Sequence, residues 1–467
     1  MKNKYIELIS QTFEFPKSEF DVSTNGDLLY EGIELKSLAK KYGTPLRFTY
    51  LPKISENIQR ARSWFKSAFD NHQYRGKYHY CYCTKSSHFS HVVEEAIRNE
   101  VHLETSSAFD LDIILQLFNQ GKLSKKIYII CNGYKTKAYL DRIFSLIEMG
   151  FENILVILDN MKELEELNQR AKSKIKIGIR IASEEEPKFE FYTSRLGIGY
   201  KSIVPFYEEH ISKMENIELN MLHFFINTGI RDTAYYWNEL LKCTTVYTQL
   251  KKVCNELEHL NIGGGFPIKR SLNFDYDYEY MVKEIVGQIK NHCDQQNIPE
   301  PNIFTEFGSF TVGESGGVIY SILDQKQQND RERWNMIDGS FMTTLPDSWA
   351  INERFIMLPL NRWNNKYERV LLGGLTCDSD DYYNSEQHVN AIYLPEIDPE
   401  DKLYICFFNT GAYQDSLSGD GGIKHCLLPA PKRIRISKDA HGNLQDELIA
   451  EEQNSNDMLK HLGYQIS

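Results

Sequence analysis

Short apolar and β-branched runs alternate with helix-like stretches between about residue 78 and residue 310. The eight runs are YHYCYCT (78–84), VHLETS (101–106), KIYIICN (126–132), NILVILDN (153–160), KIKIGIRIA (174–182), LNMLHFFIN (219–227), LEHLNIG (257–263) and NIFTEFG (302–308). Stretches between them, such as HFSHVVEEAIRNE and MKELEELNQRAK, carry apolar residues at helical spacing. Eight strand–helix repeats predict a parallel (β/α)8 TIM-type barrel, although a doubly wound open sheet has the same pattern.

The remainder of the chain has a different pattern. It contains strand-like runs separated by Gly, Asn, Asp and Pro, as in IDGSFMTTLPDSW and KLYICFFNTGAY, and this predicts a second, mainly antiparallel β domain. We therefore expect residues 1–50 to join the β domain and residues 51–310 to form the α/β barrel. Residues 311–467 form the rest of the β domain, with a polar tail from about residue 438 that the sequence constrains poorly.

Composition narrows the class of protein. The chain has 467 residues, of which 41% are hydrophobic and 25% charged, as in an ordinary globular protein. A net charge of −12 argues against a nucleic acid or a membrane surface as partner. The nine cysteines include no CxxC pair, which favours free thiols over a secreted disulfide framework. No segment reaches the roughly 18 consecutive apolar residues that a membrane span needs, so we expect a cytoplasmic protein.

Three strand ends of the expected barrel carry candidate chemistry. Catalytic groups of such barrels lie where strands end, and Lys85 directly follows the first strand. A lysine at a random position is usually a surface charge. However, the glycines 263–265 follow the seventh strand, where barrels commonly bind phosphate, and consecutive glycines expose backbone N–H groups. The alternative for these glycines is a flexible turn.

Glu306 ends the eighth strand, where a buried carboxylate needs a partner. A protonated pyridine nitrogen would satisfy it, and so would an ion pair with Arg180 at the end of the fifth strand. His223, on the sixth strand, is by itself more typical of a hydrogen-bonded core residue. No metal site is predicted.

Seven motifs occur in an order that resembles one family. They are YCYCTKSS with Lys85, SRLGI (194–198), LHFFINTG (222–229), NIGGGFP (261–267), TEFGSFTVGESG (305–316), LTCDSDD (375–381) and NTGAY (409–413). Together they resemble the fold type III pyridoxal-5′-phosphate (PLP) decarboxylases that act on ornithine, lysine, arginine and diaminopimelate. The resemblance spans roughly residues 28 to 430. It implies an alanine-racemase-like arrangement of barrel and β domain, and a head-to-tail homodimer with shared active sites.

The resemblance also implies roles for individual residues. Lys85 would bind PLP covalently, Glu306 would pair with the pyridine nitrogen, and Arg180 would support Glu306. The phosphate would be held by Gly263, Gly264, Gly265 and Tyr413. Cys377 and Asp378 would enter the neighbouring subunit's site, where the thiol returns a proton to the substrate carbon and the carboxylate binds its distal cation. Asp347, in LPDSW, is a second candidate for that cation.

The chain departs from the family pattern at three places. At the sixth strand, the second histidine of the usual His-x-His-x-Gly-Ser is Phe225, which can stack on a ring but cannot transfer a proton, and the serine is Thr228. The usual Glu-Pro-Gly-Arg ends in Ser309, so an expected phosphate-binding arginine is replaced by a neutral hydroxyl. The position near the cofactor on the second strand, usually an aspartate, corresponds to Glu104.

The motifs favour a basic substrate. Cys377-Asp378-Ser379 differs from the Cys-Glu-Ser of diaminopimelate decarboxylases, and GAYQD (411–415) resembles GAYQE of biosynthetic arginine decarboxylases. A guanidinium suits carboxylates, and residues 378–381 offer several. We therefore expect decarboxylation of arginine to agmatine, at the start of polyamine synthesis, with ornithine, lysine or diaminopimelate as alternatives. From other classes, a non-catalytic decarboxylase-like binding protein and a racemase remain alternatives.

Overall fold

A computed structural model describes residues 4–17, 19–184, 193–383, 392–397 and 401–465. By its internal contacts the chain divides into two compact units. We call the first the barrel unit, with residues 54–267 and 276–311, and the second the β unit, with residues 1–53, 268–275 and 312–467.

The segment 268–275, which the sequence pattern assigns to the barrel, belongs to the β unit. Its cations explain this. Lys269 pairs with Glu19 at 2.9 Å, and Arg270 pairs with Glu353 at 2.9 Å, so both side chains are held by residues of the β unit.

The barrel unit contains the eight strands that the sequence predicts. They are Tyr78–Cys83, His102–Thr105, Tyr128–Cys131, Asn153–Leu158, Ile175–Ala182, Ile217–His223, His259–Asn261 and Asn302–Phe307. All neighbouring pairs are parallel, and the eighth strand pairs with the first, Glu306 opposite Cys81. This closes the sheet, so the barrel is confirmed and the open sheet is excluded. A two-residue strand, Ile198–Gly199, extends the edge of the fifth.

A helix follows each barrel strand, as the apolar spacing predicts. These helices are Ser90–Arg98, Ala108–Asn119, Lys137–Glu148, Lys162–Arg170, Tyr200–Glu209, Ala234–Val253, Tyr278–Gln296 and the short Ser309–Val312, and a further helix, Leu51–His72, precedes the first barrel strand. Ala108–Asn119 shows the local logic: the Ser107 side chain accepts a hydrogen bond from the backbone N–H of Asp110, and Leu111, Ile114 and Leu117 form its buried face.

The β unit is built mainly from antiparallel strands, which confirms the predicted β domain. Its strands are Phe20–Val22, Leu28–Tyr30, Ile33–Glu34, Leu46–Tyr50, Gly316–Gln327, Arg333–Ile337, Ile356–Pro359, Tyr367–Gly373, Ile392–Pro395, Tyr404–Phe408, Lys432–Lys438 and Leu444–Ala450. The N-terminal segment joins this unit because Leu46–Tyr50 lies between Gly316–Gln327 and Lys432–Lys438. Short helices complete the unit: Tyr5–Thr12, Leu35–Tyr42, Phe341–Thr344, Pro346–Ala350, Gln414–Leu417 and Ser455–His461.

The polar segment after residue 438 has regular structure. Leu444–Ala450 pairs antiparallel with Lys432–Lys438, and Ser455–His461 is helical. Because its side chains are mostly exposed and polar, the segment has no apolar periodicity from which this strand and helix could be predicted. Nowhere in the described parts of the chain is there a helix both long enough and apolar enough to cross a membrane.

Candidate active site

Lys85 lies at the carboxyl end of the first barrel strand, in the 3-10 turn Thr84–Ser86. Its Nζ donates a hydrogen bond to Oε2 of Glu104 at 2.7 Å. Glu104 is on the second strand and fully buried, whereas the Lys85 side chain is 42% exposed. Burial alone would lower the pKa of Lys85, but Glu104, helped by Cys83 and Glu306, outweighs it and raises the pKa above its usual value.

Glu306, at the end of the eighth strand, is surrounded by donors. Its carboxylate contacts His223 Nε2 at 3.2 Å, Asn261 Nδ2 at 2.7 Å and Asn132 Nδ2 at 3.0 Å. Burial alone would raise the pKa of Glu306, but His223, then Lys85 and Asn132, lower it below its usual range. The group is therefore a carboxylate at neutral pH.

Asn132 joins the two acids of the site. Its Nδ2 lies 3.0 Å from Glu104 Oε1 and also contacts both carboxylate oxygens of Glu306. Sequence reasoning missed Asn132 and Asn261. Both are polar residues at the carboxyl ends of apolar strands, the position that marked Lys85 and Glu306, so this signal could have found them.

The glycine loop follows the seventh strand and is tied to the same cluster. Asn261 Oδ1 accepts a hydrogen bond from the backbone N–H of Gly263 at 2.9 Å. A Cβ on Gly264 would overlap the carbonyl oxygen of Glu306, and one on Gly265 would lie 2.7 Å from Cα of Gly229. The missing side chains thus let neighbouring backbone approach. Within the described residues, the N–H groups of Gly264 and Gly265 donate no hydrogen bond.

Arg180 corrects one expectation. It does not pair with Glu306 among the described residues; instead its guanidinium carbon lies 5.8 Å from the ring centroid of Phe225. The buried Nε of Arg180 has no hydrogen-bond partner. The reason is that His223, together with Asn132 and Asn261, already occupies the carboxylate of Glu306.

Two further positions at which the chain departs from the family pattern, Thr228 and Ser309, are partly exposed. Thr228 lies in the turn after the sixth strand, and Ser309 begins the helix Ser309–Val312 after the eighth. Both therefore lie at the carboxyl end of the barrel, the end that carries Lys85.

A second lysine near the strand ends is not available to a ligand. The side chain of Lys135 is fully buried, contacts the carbonyl oxygen of Ile157 and lies 3.7 Å from Glu163. Burial lowers the pKa of Lys135. Between these two lysines, Lys85 is the accessible amine.

The β unit carries the other candidate residues. Cys377 is exposed in the loop after the strand Tyr367–Gly373, and its Sγ lies 3.6 Å from Sγ of Cys426. Next to it, Asp378 lies 3.6 Å from Nε2 of His425. Cys426 raises the pKa of Cys377 through this sulfur–sulfur contact, so the proton is retained on Cys377.

Asp381 is not available to bind a cation, contrary to the expectation that several carboxylates of residues 378–381 serve a substrate. It is buried and accepts hydrogen bonds from the backbone N–H groups of Phe341 and Thr376, and from the Thr376 hydroxyl at 2.7 Å. It anchors the loop that presents Cys377 and Asp378.

Asp347 accepts a hydrogen bond from Gln414 Nε2 at 2.6 Å. Gln414 follows Tyr413, which has a positive φ of 66° and precedes the short helix Gln414–Leu417. Asp415, the last residue of GAYQD, pairs with Arg47 at 3.0 Å and with Arg433 at 2.8 Å. Asp415 is therefore a structural acid of the β unit.

The barrel residues fit the cofactor that the motifs imply. The site offers an accessible amine on Lys85, a carboxylate on Glu306 for a protonated ring nitrogen, and free N–H groups on Gly264 and Gly265 for a phosphate. The unpaired buried Nε of Arg180 beside the Phe225 ring adds a cation and an aromatic face.

Comparison with known proteins agrees with this fit. Residues 55–313 match the family described as pyridoxal-dependent decarboxylase, pyridoxal binding domain. The biosynthetic arginine decarboxylase of Geobacter sp. (strain M21) is 22% identical over 92% of this chain and 86% of its own length. That of Bacteroides thetaiotaomicron is 24% identical over 90% and 83%.

Solved structures share the fold. The biosynthetic arginine decarboxylase SpeA from Campylobacter jejuni superposes with a TM-score of 0.81 at 20% identity, covering 99% of this chain and 90% of that one. A diaminopimelate decarboxylase from M. jannaschii in complex with L-lysine gives 0.79 at 19% identity, covering 95% and 97%. Since the family match covers more than half of the chain, this protein belongs to the pyridoxal-dependent decarboxylases, and its cofactor is PLP.

Proposed function

We propose that this enzyme decarboxylates L-arginine to agmatine and CO2, the first step of a route to polyamines, with ornithine or lysine as alternative substrates. The choice of a basic substrate rests on the exposure and the surroundings of the Asp378 carboxylate. Its side chain is 33% exposed, lies beside the exposed thiol of Cys377, and has no Lys or Arg within ion-pair distance among the described residues. Its ion-pair neighbour there is His425, 3.6 Å away, and a partly exposed carboxylate with no Lys or Arg beside it is suited to bind a cation from a substrate.

Arginine is favoured among basic substrates for two reasons. Relatives named biosynthetic arginine decarboxylase align along about nine-tenths of this chain, 92% and 90% in two cases. A guanidinium is planar and forms paired hydrogen bonds with carboxylates, so Asp378 and Asp347 both have the chemistry to bind it.

In the proposed mechanism, Lys85 carries PLP, which supplies the electron sink when CO2 leaves the substrate. Glu306 stays deprotonated and would keep a proton on the pyridine nitrogen, while the N–H groups of Gly264 and Gly265 would hold the phosphate. Tyr413 is a further candidate for the phosphate, and Phe225 with Arg180 would face the ring.

Cys377 has the properties of the final proton donor. Its pKa is raised by Cys426, so the thiol keeps its proton at neutral pH, and its sulfur is exposed. We assign it the return of a proton to the α-carbon of the substrate. Asp378, its neighbour in the chain, would bind the far end of the same substrate.

We also propose that a second copy of the chain supplies Cys377 and Asp378. Apolar side chains flank the loops of Cys377 and Cys426: Leu375 is 44% exposed, Ile423 51% and Leu427 49%. Exposed apolar residues grouped around functional loops are typical of an interface. Mixing the inactive variants Lys85→Ala and Cys377→Ala would restore about a quarter of the activity if sites are shared, because half of random dimers hold one intact site. No recovery would contradict sharing.

All nine cysteines are free, which supports our assignment to the cytoplasm. The substrate is tested by CO2 release from arginine, ornithine, lysine and meso-diaminopimelate, with Lys85→Ala as the inactive control. We expect arginine to give the highest kcat/KM. Activity on diaminopimelate alone would contradict a basic substrate.

Covalent attachment is tested separately with borohydride. Reduction should bleach the cofactor absorbance and place the label on Lys85. The buried Lys135 is the internal control and should stay unlabelled, whereas label on Lys135 would contradict the assignment.

A further inference from the structure

Cys377 and Cys426 form an exposed pair of thiols. Their Sγ atoms are 3.6 Å apart, and both residues are exposed, whereas the other seven cysteines of the chain are buried. An oxidant as small as hydrogen peroxide, which can enter an active site, therefore reaches these two sulfurs before the seven that the fold encloses. A disulfide requires an S–S distance of about 2.05 Å, so the sulfurs need to approach by only roughly 1.5 Å.

The two loops that carry the thiols are each anchored. Thr376 is bound to the buried Asp381 by its N–H at 3.1 Å and by its hydroxyl at 2.7 Å. On the other loop, Lys424 is buried and its Nζ donates to the carbonyl oxygens of Ser418 and Gly419. Anchored loops keep the thiols near each other.

A second contact joins the same two loops, through the residues next to the two cysteines. Asp378 Oδ2 lies 3.6 Å from Nε2 of His425, so consecutive residues of one loop face consecutive residues of the other. This pairing holds the Cys377 and Cys426 side chains side by side.

We propose that Cys377 and Cys426 are a reversible oxidation site, at which hydrogen peroxide converts the two thiols into an intramolecular disulfide. In the first step a peroxide oxygen is transferred to one of the two sulfurs, which becomes a sulfenic acid, and water leaves. In the second step the other sulfur attacks the sulfenic sulfur, the S–S bond forms, and a second water leaves. The two thiols lose two electrons and two protons, and peroxide is reduced to two waters.

The contact between the sulfurs lets either one capture the other after oxidation. The thiolate is the form that reacts with peroxide, and the second thiol lies 3.6 Å from the sulfur that becomes oxidised. Formation of the disulfide removes the thiol proton of Cys377, and reduction by a dithiol restores the thiol.

The effect on turnover rests on the proposed role of Cys377 as proton donor, but formation of the disulfide does not. We would treat the reduced full-length holoenzyme with hydrogen peroxide, map its peptides by mass spectrometry and count its free thiols. We expect a Cys377–Cys426 linked peptide, loss of two thiols per chain, and turnover lower by about 10²-fold that dithiothreitol restores.

Cys426→Ser and Cys377→Ser are the matched variants, and neither should form the link. Phenylarsine oxide, which binds close dithiols, gives a second measurement: we expect one equivalent per chain in the wild type and none in either variant. A sulfinic acid on Cys377 without a link, or a link between two chains, would overturn the proposal. A complete link with unchanged turnover would support the disulfide and overturn the proton-donor role of Cys377.

Discussion

The ammonium group of Lys85 donates a 2.7 Å hydrogen bond to Glu104, a fully buried carboxylate on the adjacent barrel strand. Glu104 replaces the aspartate that the motif comparison leads one to expect, and its longer side chain reaches both Lys85 and Asn132. Glu104, on the neighbouring strand, thereby favours the charged form of the Lys85 amine.

Glu104→Gln should lower the pKa of Lys85. Without the carboxylate, burial becomes the dominant influence and favours the neutral amine. The pH midpoint for reductive labelling of Lys85 in the cofactor-free protein should shift downward. Glu94→Gln removes a matched pair with Lys122, 2.7 Å long and on the helical surface of the same unit, and should leave that midpoint unchanged.

Asn132→Ala should destabilise the barrel unit and weaken PLP binding. The substitution leaves the buried Glu104 and Glu306 short of a donor, at a cost of about 1–3 kcal/mol in the free energy of unfolding. Asn132→Asp should cost more, because it places a third carboxylate between the two acids. Urea denaturation measures both changes.

A half-buried asparagine that contacts no buried acid of the site provides the control for this pair. Asn99 Nδ2 donates to Ser55 Oγ at 2.7 Å and to the carbonyl oxygen of Glu95 at 3.0 Å. Asn99→Ala should change the unfolding free energy by about 1 kcal/mol or less, because the hydrogen bonds that it removes are neutral and partly open to water. An equal loss of unfolding free energy in Asn99→Ala and Asn132→Ala would contradict the prediction that Asn132 stabilises the barrel by joining Glu104 and Glu306.

Cys377→Ala should slow turnover by about 10²- to 10⁴-fold, the usual contribution of a positioned proton donor, or divert the reaction to another product. Since Cys377 lies in the β unit and Lys85 in the barrel unit, the cofactor absorbance should be retained. Single-turnover kinetics and product analysis measure the effect. Unchanged kinetics would remove the assigned role.

Acid should destabilise the barrel through three histidines at its amino-terminal end. His79 Nδ1 lies 3.0 Å from His102 Nε2, and the ring centroid of His259 lies 6.3 Å from that of His79. Burial, helped by Lys77, lowers the pKa of His79 to about 4; burial also lowers those of His102 and His259 to about 3. Their stabilising effect is complete above the unfolded pKa and is lost as pH falls from about 6.5 toward about 4.

His79→Phe tests this pH dependence. It keeps the stacking on Phe304, whose ring centroid is 4.4 Å away, and removes one titrating group. Between pH 7 and pH 5 the wild type should lose about 1–2 kcal/mol more unfolding free energy than the variant. His441→Asn, at an exposed position, should behave as the wild type. An identical loss in His79→Phe and wild type would contradict the prediction.

Asp415→Asn should strongly destabilise the β unit. Burial alone would raise the pKa of Asp415, but Arg47 and Arg433 lower it to about 2, and removing the charge takes from these two buried guanidinium groups the carboxylate that they share. The expected cost in unfolding free energy is about 3–5 kcal/mol. Glu447→Gln breaks an exposed 2.6 Å pair with Arg435 and should cost under about 1 kcal/mol. Denaturant unfolding of both variants checks the difference.

The sequence by itself determined the architecture and the residues at the strand ends. Eight buried runs with helical spacing between them can satisfy their backbone and bury their apolar side chains as a barrel, and all eight strands lie where that periodicity places them. Lys85 and Glu306 became candidates for the site because the carboxyl end of a barrel strand is a position that sequence order reveals.

Only the tertiary structure decided which polar groups meet. Asn132 and Glu306 are far apart in the chain, so their contact follows from closure of the barrel, as does the exclusion of Arg180 from Glu306. In the β unit, Asp381 turned out to be buried, and Cys377 lies against Cys426. Periodicity reports burial along one element, whereas hydrogen bonds and charge pairs depend on distances between elements, which folding alone establishes.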